Sequence, residues 1–305
     1  MAQAARRMTT PKLPSMRRVS FCYHPAVPGA QALAGRLAAV AAARGAERLL
    51  AELPRDGEDG ELAGGVPGSD MLVCVGGDGT VLHASGIAAR FGVPVFGVRM
   101  GRLGFLAEAT EAEAEAALQR ILDGDGRIER RVMLQARVGD TEPQHALNDV
   151  VIGRMQLGRT VSVGLRVDGI LLAEYRADAV IAGTATGSTG YALSVGGPIL
   201  HPASTDLIVT AVAPHLSYSN ALVLPGAAQI EFEVARGYEA VLLVDGRREQ
   251  PVPSGTFVHV TGSPREALFI RLGSEQQFYA NLARRLGWLR IDHALGSDSA
   301  DRPPS

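Results

Sequence analysis

Up to about residue 126, short apolar runs alternate with stretches of helical spacing. "RRVSFCYHP" is a compact apolar run stopped by Pro25, which predicts a strand. "GAQALAGRLAAVAAARGAE" is alanine-rich and predicts a helix. "DMLVCVGG" is continuously apolar, as a strand covered on both faces should be. "GTVLHASGIAARFG" predicts a second helix and "VPVFGVRM" a further strand. "TEAEAEAALQRILDGDG" carries its acids early, which suits a helix dipole, and stops at glycine. Strand–helix–strand succession predicts a parallel sheet with helices packed on it, a Rossmann-like α/β domain. Ligands of such sheets sit beyond the carboxyl ends of strands.

From about Arg127 to Arg271 the texture changes to short alternating runs, among them "RRVMLQARVGD", "VSVGLRVDGILLAEYRADAVIAG", "QIEFEVARG", "AVLLVDGRREQPV" and "EALFIRLG". The period of two predicts a β-rich, sandwich-like second domain. Asp168-Gly169 is good hairpin chemistry between two of its strands. "SEQQFYANLARRLGW" returns to helical spacing and is expected to pack back on the first domain. The predicted division is a disordered tail over 1–17, an α/β domain over 18–112 plus 275–293, a β-rich domain over 113–274, and a disordered tail over 294–305.

Composition narrows the chemistry. With 305 residues and 46% of them hydrophobic, the chain can bury two cores. A net charge of −2 argues against a sequence-independent nucleic-acid binder. Cys22 and Cys74 both lie in apolar runs and read as buried reduced thiols; a zinc site would need more ligands at closer spacing. No run reaches the ~18 apolar residues of a membrane span, and the arginine-bearing start lacks the apolar core of a secretory signal, so a cytoplasmic protein is expected. The single lysine, Lys12, excludes a P-loop. Phosphate handling must then use backbone amides, arginine or a metal ion.

Four segments carry candidate chemistry. In "LVCVGGDGTVLHA" a buried strand ends by placing Asp78 among Gly76, Gly77 and Gly79. A tight turn needs no more than that, but the same pattern suits a backbone that a bulky ligand approaches, with one acid aimed at it. "GTATGSTGYALSVGGPIL" offers Thr184, Thr186, Ser188 and Thr189 at the mouth of a helical run, where an anion would find amides and hydroxyls. As a plain capped helix, Ser188 or Thr189 would be its N-cap. "LNDVVIGR" opens a strand with Asn148 and Asp149, which an Asx turn alone would explain. "APHLSYSNALVLP" places His215 after the apolar run "LIVTAV", a position where a lone histidine is usually structural.

Taken together, "GGDGT", "GRLGFL", "LNDVVI", "TGSTGYALSVGGPIL", "PHLS", "VDG" and a terminal "LARRLGW" occur in the order and texture of bacterial NAD kinases, which the chain resembles from about Arg18 to Trp288. The resemblance implies transfer of the terminal phosphoryl group of ATP, or of polyphosphate, to the adenosine ribose 2′-hydroxyl of NAD, with magnesium or another divalent cation. It implies NAD held between an α/β nucleotide-binding domain and a β-rich domain, and a homodimer or homotetramer that shares parts of its sites. Asp78 matches the family's loop aspartate, a base for the hydroxyl or an orienter of hydroxyl and metal. Asn148 and Asp149 match an Asn–acid clamp on adenosine, with Asp149 where glutamate is usual. Thr186, Ser188 and Tyr191 fall in the matched loop that lines the NAD site, Asp178 is expected near the nicotinamide end, and Thr80, His83, Arg176, Gly187 and Thr189 are further candidate nucleotide contacts. Arg99 and His215 are candidate phosphate contacts. Departures stand at Arg99, Ala179, Gly190, Asn220-Ala221 and Arg247. No metal ligand set is read from the sequence. Two other readings compete: a lipid kinase sharing the glycine–aspartate loop, and a dinucleotide-binding regulator without catalysis. The first lacks any membrane-facing feature. The second leaves Asp78 unexplained, since a carboxylate beside phosphates costs energy unless a metal or a proton transfer uses it.

Overall fold

A computed structural model describes residues 12–54, 60–101, 104–156, 158–215 and 219–288. The expected tails at 1–11 and 294–305 lie outside the described residues, as do Arg102-Leu103 of "GRLGFL", part of "PHLS" and 289–293.

The first half runs β1 (Arg18–Tyr23), α1 (Ala30–Ala43), β2 (Glu47–Glu52), α2 (Gly60–Gly65), β3 (Met71–Gly76), α3 (Asp78–Ala89) and β4 (Val95–Arg99). Its strands are parallel in the order β2-β1-β3-β4. Alternate residues of one strand serve two layers, because successive side chains point to opposite faces. Val19, Phe21, Val73 and Val75 pack with Leu33 and Leu37 of α1, whereas Cys22, Leu72 and Cys74 pack with Val81, Ala84 and Ile87 of α3. Both cysteines are buried and free, as read. Strand β2 escapes a sequence reading because it is an edge strand whose "ERLLAE" buries only Ala51.

β5 (Ala109–Thr110) and α4 (Ala114–Leu122) follow, and α4 buries Leu118 and Ile121 in the same core as α1. A boundary at 112 therefore cuts through one core. The tail is also shorter than expected, since Leu13 and Met16 bury there too and the Leu13 amide donates to the Gly124 carbonyl at 2.9 Å.

The second half comprises β6 (Arg127–Val138), β7 (Gln144–Ala146), β8 (Asp149–Arg154), β9 (Val161–Val167), β10 (Ile170–Ala177), β11 (Ala179–Gly183), a 3₁₀ turn over Gly187–Thr189, α5 (Tyr191–Ser194), β12 (Leu207–Val212), β13 (Leu222–Leu224), β14 (Ile230–Val234), β15 (Ala240–Val244), β16 (Arg248–Val252), β17 (Phe257–Arg271) and α6 (Gln277–Leu286). Strands β8, β11, β12, β13, β15 and β16 make a six-stranded antiparallel sheet. It packs Ile152, Val180, Val209 and Leu242 against Val163, Leu165, Phe232 and Val260 of the other sheet. Asp168-Gly169 makes the expected turn between β9 and β10, with φ of 50° and 79°.

Not all runs are short. The 15-residue β17 pairs with β14 and β6, then meets β4 in parallel at Phe269 and Val95. One 11-stranded sheet thus runs through both halves. This continuity holds the carboxyl end of β3 in fixed relation to the sandwich.

Candidate active site

Strand β3 ends at Gly76 and α3 begins at Asp78, with Gly77 as an extended N-cap. The turn is too tight for a side chain at Gly76, where a Cβ would strike Thr80. Thr80 closes it by accepting the Gly77 amide on Oγ1 at 3.2 Å. Asp78 is thereby carried off the strand end. Its carboxylate accepts the main-chain amides of Phe105 at 2.7 Å and Leu106 at 3.3 Å. Arg285 of α6 completes the surroundings at 3.4 Å. Gly104 has no room for a Cβ, which would collide with the Asp78 carboxylate. The loop after β4 therefore grips this side chain, which stays 31% exposed. His83 lies further along α3, half-buried.

The sandwich supplies the facing wall. Asp245, in the β15–β16 turn with φ of 52°, accepts the amides of Leu147, Asn148 and Asp149 at 2.9, 2.7 and 3.2 Å. That carboxylate fixes the start of β8. Asp149 is buried, and burial together with the neighbouring Asp245 charge raises its pKa to about 7. Burial also raises Asp245, against the pull of its three amides and of Arg247. Arg247 crosses to the other wall and donates to the Gly79 carbonyl at 2.9 Å. At Gly190, a Cβ would come within 3.2 Å of the Gly187 carbonyl and 4.0 Å of an Asp149 carboxylate oxygen. Glycine there leaves that space beside the acid open.

The hydroxyls of the Gly/Ser/Thr segment act differently from the expectation. Thr184 donates to the Leu147 carbonyl at 2.6 Å and accepts the Gly187 amide at 3.1 Å. Ser188 is fully buried, donates to the Ala185 carbonyl at 2.6 Å and accepts the Leu200 amide at 3.0 Å. Thr189 donates to the Thr186 carbonyl at 3.2 Å. Neither Ser188 nor Thr189 caps a helix, since Gly190 precedes α5. These hydroxyls lock the loop and seat it on Asn148, whose carbonyl leaves no room for a Cβ at Gly187. What the loop presents outward is Tyr191, 42% exposed.

A charged network joins the two walls. Arg271 donates to the Leu106 carbonyl at 2.8 Å and to Glu129 at 3.1 Å. Arg131 pairs with the same Glu129 oxygen and reaches Thr186 Oγ1 at 3.4 Å. Both guanidinium groups lie over the Phe269 ring, at 4.9 and 5.2 Å. Burial raises the Glu129 carboxyl, but Arg271 and Arg131 outweigh it and bring the pKa down to about 2. Burial and the adjacent Arg271 lower Arg131 to about 10. Sequence reasoning missed this set, although its signal was present: a charged residue at an inward position of the alternating run "RRVMLQARV".

Of the remaining predicted residues, Arg176, Asp178 and His215 lie elsewhere. Asp178 pairs with Arg154 at 2.8 Å, and the His215 amide donates to the Arg176 carbonyl at 2.7 Å. Gly183 opposes Asp149 on the β8–β11 ladder, so Asp178 stands five residues further along, about 17 Å away at roughly 3.4 Å per residue. Within one chain, Arg176, Asp178 and His215 do not join Asp78 and Asn148. Arg99 opposes Gly76 in the sheet but donates to the Gly101 carbonyl at 2.9 Å. Among the described residues, no group of three or more His, Cys, Asp or Glu is placed to hold a metal ion.

A glycine–aspartate turn at the end of a parallel strand, faced by an acid-bearing sandwich and edged with arginines, defines a nucleotide-dependent phosphotransferase. Residues 66–126 match the family model of the ATP-NAD kinase N-terminal domain, and residues 147–272 that of the ATP-NAD kinase C-terminal domain. The chain belongs to the NAD kinase family, and its activity is that of an NAD kinase. It is 32% identical to an NAD kinase of Dehalococcoides mccartyi over 275 residues, 88% of this chain and 96% of that one. It is 39% identical to an NAD kinase of Chloroflexus aurantiacus over 221 residues, 71% and 80% of the two chains. The crystal structure of an Archaeoglobus fulgidus NAD kinase in complex with ATP superposes with a TM-score of 0.72 at 25% identity, covering 90% of this chain and all of that one. Yeast NADH kinase complexed with NADH shares the fold, with a TM-score of 0.77 at 22% identity over 96% and 91% of the two chains. The lipid-kinase and non-catalytic readings find no support in these matches.

Proposed function

We propose that the chain transfers the terminal phosphoryl group of ATP, or of inorganic polyphosphate, to the 2′-hydroxyl of the adenosine ribose of NAD, with Asp78 as the residue at the reacting hydroxyl. The observation that carries this is the grip on the Asp78 carboxylate, held by two amides and by the absence of a side chain at Gly104. A ribose hydroxyl is a poor nucleophile and needs a positioned acceptor for its proton. The hydroxyl oxygen bonds to the terminal phosphorus, the bond from that phosphorus to the bridging oxygen breaks, and ADP or the shortened polyphosphate leaves. The proton passes to Asp78. The donor set fits magnesium held largely by donor phosphates, since Asp78 supplies one hard oxygen ligand and no all-protein cage is needed. Bound there, the ion would neutralise charge on the phosphates. Asn148 and Asp149 hold the adenosine part, with Thr186 and Tyr191 beside it.

The supporting frame is a Rossmann-like α/β unit, about 12–126 with β17's end and α6, and a β-rich unit over the remainder. The separation of Arg176, Asp178 and His215 from Asn148 favours a homodimer or homotetramer in which those residues face NAD held by another copy. Unpaired buried thiols, and the absence of any helix among the described residues long and apolar enough to cross a membrane, agree with work in the cytoplasm.

The test is incubation with ATP, magnesium and NAD, read by a glucose-6-phosphate dehydrogenase that requires NADP. Asp78→Asn should keep the fold and NAD binding and lose about 10²–10⁴ in turnover. Near-wild-type turnover in that variant would remove Asp78 from the role.

A further inference from the structure

Among the described residues, five arginines stand around the Gly77–Gly79 turn, and four of them are committed. Arg131 and Arg271 are buried and bonded to Glu129. Arg247 donates to the Gly79 carbonyl and Arg99 to the Gly101 carbonyl. Arg285 is held differently. Its guanidinium touches Asp78 Oδ2 through a single nitrogen at 3.4 Å, and its plane rests over the Phe105 ring at 4.2 Å. The side chain is 36% exposed, so the ion pair is a weak one.

The contact also uses a lone pair. Asp78 Oδ2 already accepts the Phe105 amide, so Arg285 takes its second acceptor site, while Oδ1 has one site left beside the Leu106 amide. A carboxylate that must receive a proton from a hydroxyl, or touch a cation, works better with that site open. A polyphosphate tail carries several negative charges, and a guanidinium can hold two phosphate oxygens at once, which one carboxylate oxygen at 3.4 Å does not match.

We propose that Arg285 is a donor-phosphate residue held in waiting by Asp78: when the donor binds, the guanidinium leaves Oδ2 for the phosphates, and the same movement opens Asp78 to the acceptor hydroxyl. Phe105 is the platform over which it turns. The inference rests on the reading of Asp78 given above, and it makes α6 part of the donor site.

The experiment is a calorimetric cycle with inorganic tripolyphosphate, without metal, on the full chain as wild type, Arg285→Ala, Asp78→Asn and the double variant. Arg285→Ala should weaken tripolyphosphate about 10- to 100-fold, the range for a hydrogen bond between charged groups. It should leave NAD affinity within about twofold. Asp78→Asn should tighten tripolyphosphate by releasing Arg285, and that gain should shrink in the Arg285→Ala background. Arg285→Lys should recover only part of the affinity, because the paired contact is lost. In steady state, Arg285→Ala should raise KM for ATP and not KM for NAD. Unchanged tripolyphosphate affinity in a folded Arg285→Ala protein overturns the proposal, as does an equal gain from Asp78→Asn with and without Arg285. No tripolyphosphate binding by the wild type overturns it too. These binding arms need no turnover, so they fail separately from the assay for NADP.

Discussion

Asp245 and Asp149 meet across the mouth of the sandwich, the first accepting the main-chain amide of the second at 3.2 Å. One acid is consumed by structure, and the other is left to the site. Asp245 satisfies three consecutive amides that precede or open β8, which no backbone partner in the sheet could do together. Its charge, next to a buried carboxyl, is one reason that Asp149 titrates near 7.

Asp245→Ala should therefore act on both stability and NAD. Orphaned amides cost about 1–3 kcal/mol each when buried, and alanine is strained at a φ of 52°. A fall of at least about 2 kcal/mol in unfolding free energy is expected, with a KM for NAD raised about tenfold or more and a smaller change in kcat. Asp245→Asn tolerates the backbone and keeps one acceptor oxygen, so it should fall between. Denaturant titration and steady-state kinetics on the three proteins check the order.

The Asp149 pKa, raised to about 7 by burial and by Asp245, has a definite sign in stability. A carboxyl raised in the folded state contributes stability that is complete below its ordinary value near 4 and is lost as pH rises through 7. Asp149→Asn is neutral throughout. Its Tm advantage over the wild type should therefore be smallest at pH 5 and widen to pH 8. The pair titrates jointly, so the widening should be gradual. A gap independent of pH would mean that Asp149 keeps one protonation state across the range. The KM for NAD, if the anion is what grips adenosine, should fall across the same pH interval in the wild type and stay flat in Asp149→Asn.

The turn at Gly76–Asp78 was legible because four letters hold a strand end, a glycine with no room for a side chain at Gly76, and an acid thrown clear. The β8 start was half legible. "LND" is visible as polar residues opening an apolar strand, but the partner that fixes it, Asp245, sits 96 residues beyond Asp149 in the second "VDG", which the family resemblance marked without giving its acid a role. Ser188 and Thr184 misled for a related reason. Hydroxyls facing a ligand and hydroxyls tying a loop to its own carbonyls are the same letters, and only burial separates them. Arg131 left a signal, a charge at an inward position of an alternating run, but its partner Glu129 and the contact of Arg285 with Asp78 were out of reach, because β6, β17 and α6 meet only once they have packed.

Gly104 carries a sharper prediction. It lies in the segment that hands the amides of Phe105 and Leu106 to Asp78, and a methyl group there would collide with the carboxylate. Gly104→Ala should push Asp78 aside by a fraction of its length while leaving the sandwich untouched. A displacement of about 1 Å at a reacting group costs on the order of 10² in rate. NAD affinity by calorimetry should remain near wild type, with turnover down about a hundredfold. A variant that loses NAD affinity to the same degree as turnover would show that the loop serves binding and not the placement of Asp78.

The last prediction concerns Glu129, whose one oxygen holds Arg271 and Arg131, two buried arginines that would otherwise repel each other, and whose other oxygen pairs with Arg127 at 3.3 Å. Burial pushes its pKa up, the charges of Arg271 and Arg131 pull it further down, and the result is about 2. A carboxyl lowered in the folded state contributes stability present above its unfolded value, near 4.5, and lost as pH falls toward 2. Wild-type stability should thus decline over that interval in part through this one group. Glu129→Gln removes the charge and leaves two guanidinium groups facing each other over Phe269. Breaking a buried ion pair from one side costs about 3–5 kcal/mol, so the variant should be strongly destabilised at pH 7. Its deficit should narrow as pH falls from 4.5 to 2, because the wild type loses there what the variant never had. Arg271 also holds the Leu106 carbonyl, whose residue donates its amide to Asp78, and Arg131 holds Thr186. Turnover in Glu129→Gln should therefore fall more than the folded fraction does. Acid unfolding monitored by circular dichroism, with activity corrected for the folded fraction, measures both. A pH-independent deficit would mean that Glu129 is not the anion that offsets the two arginines.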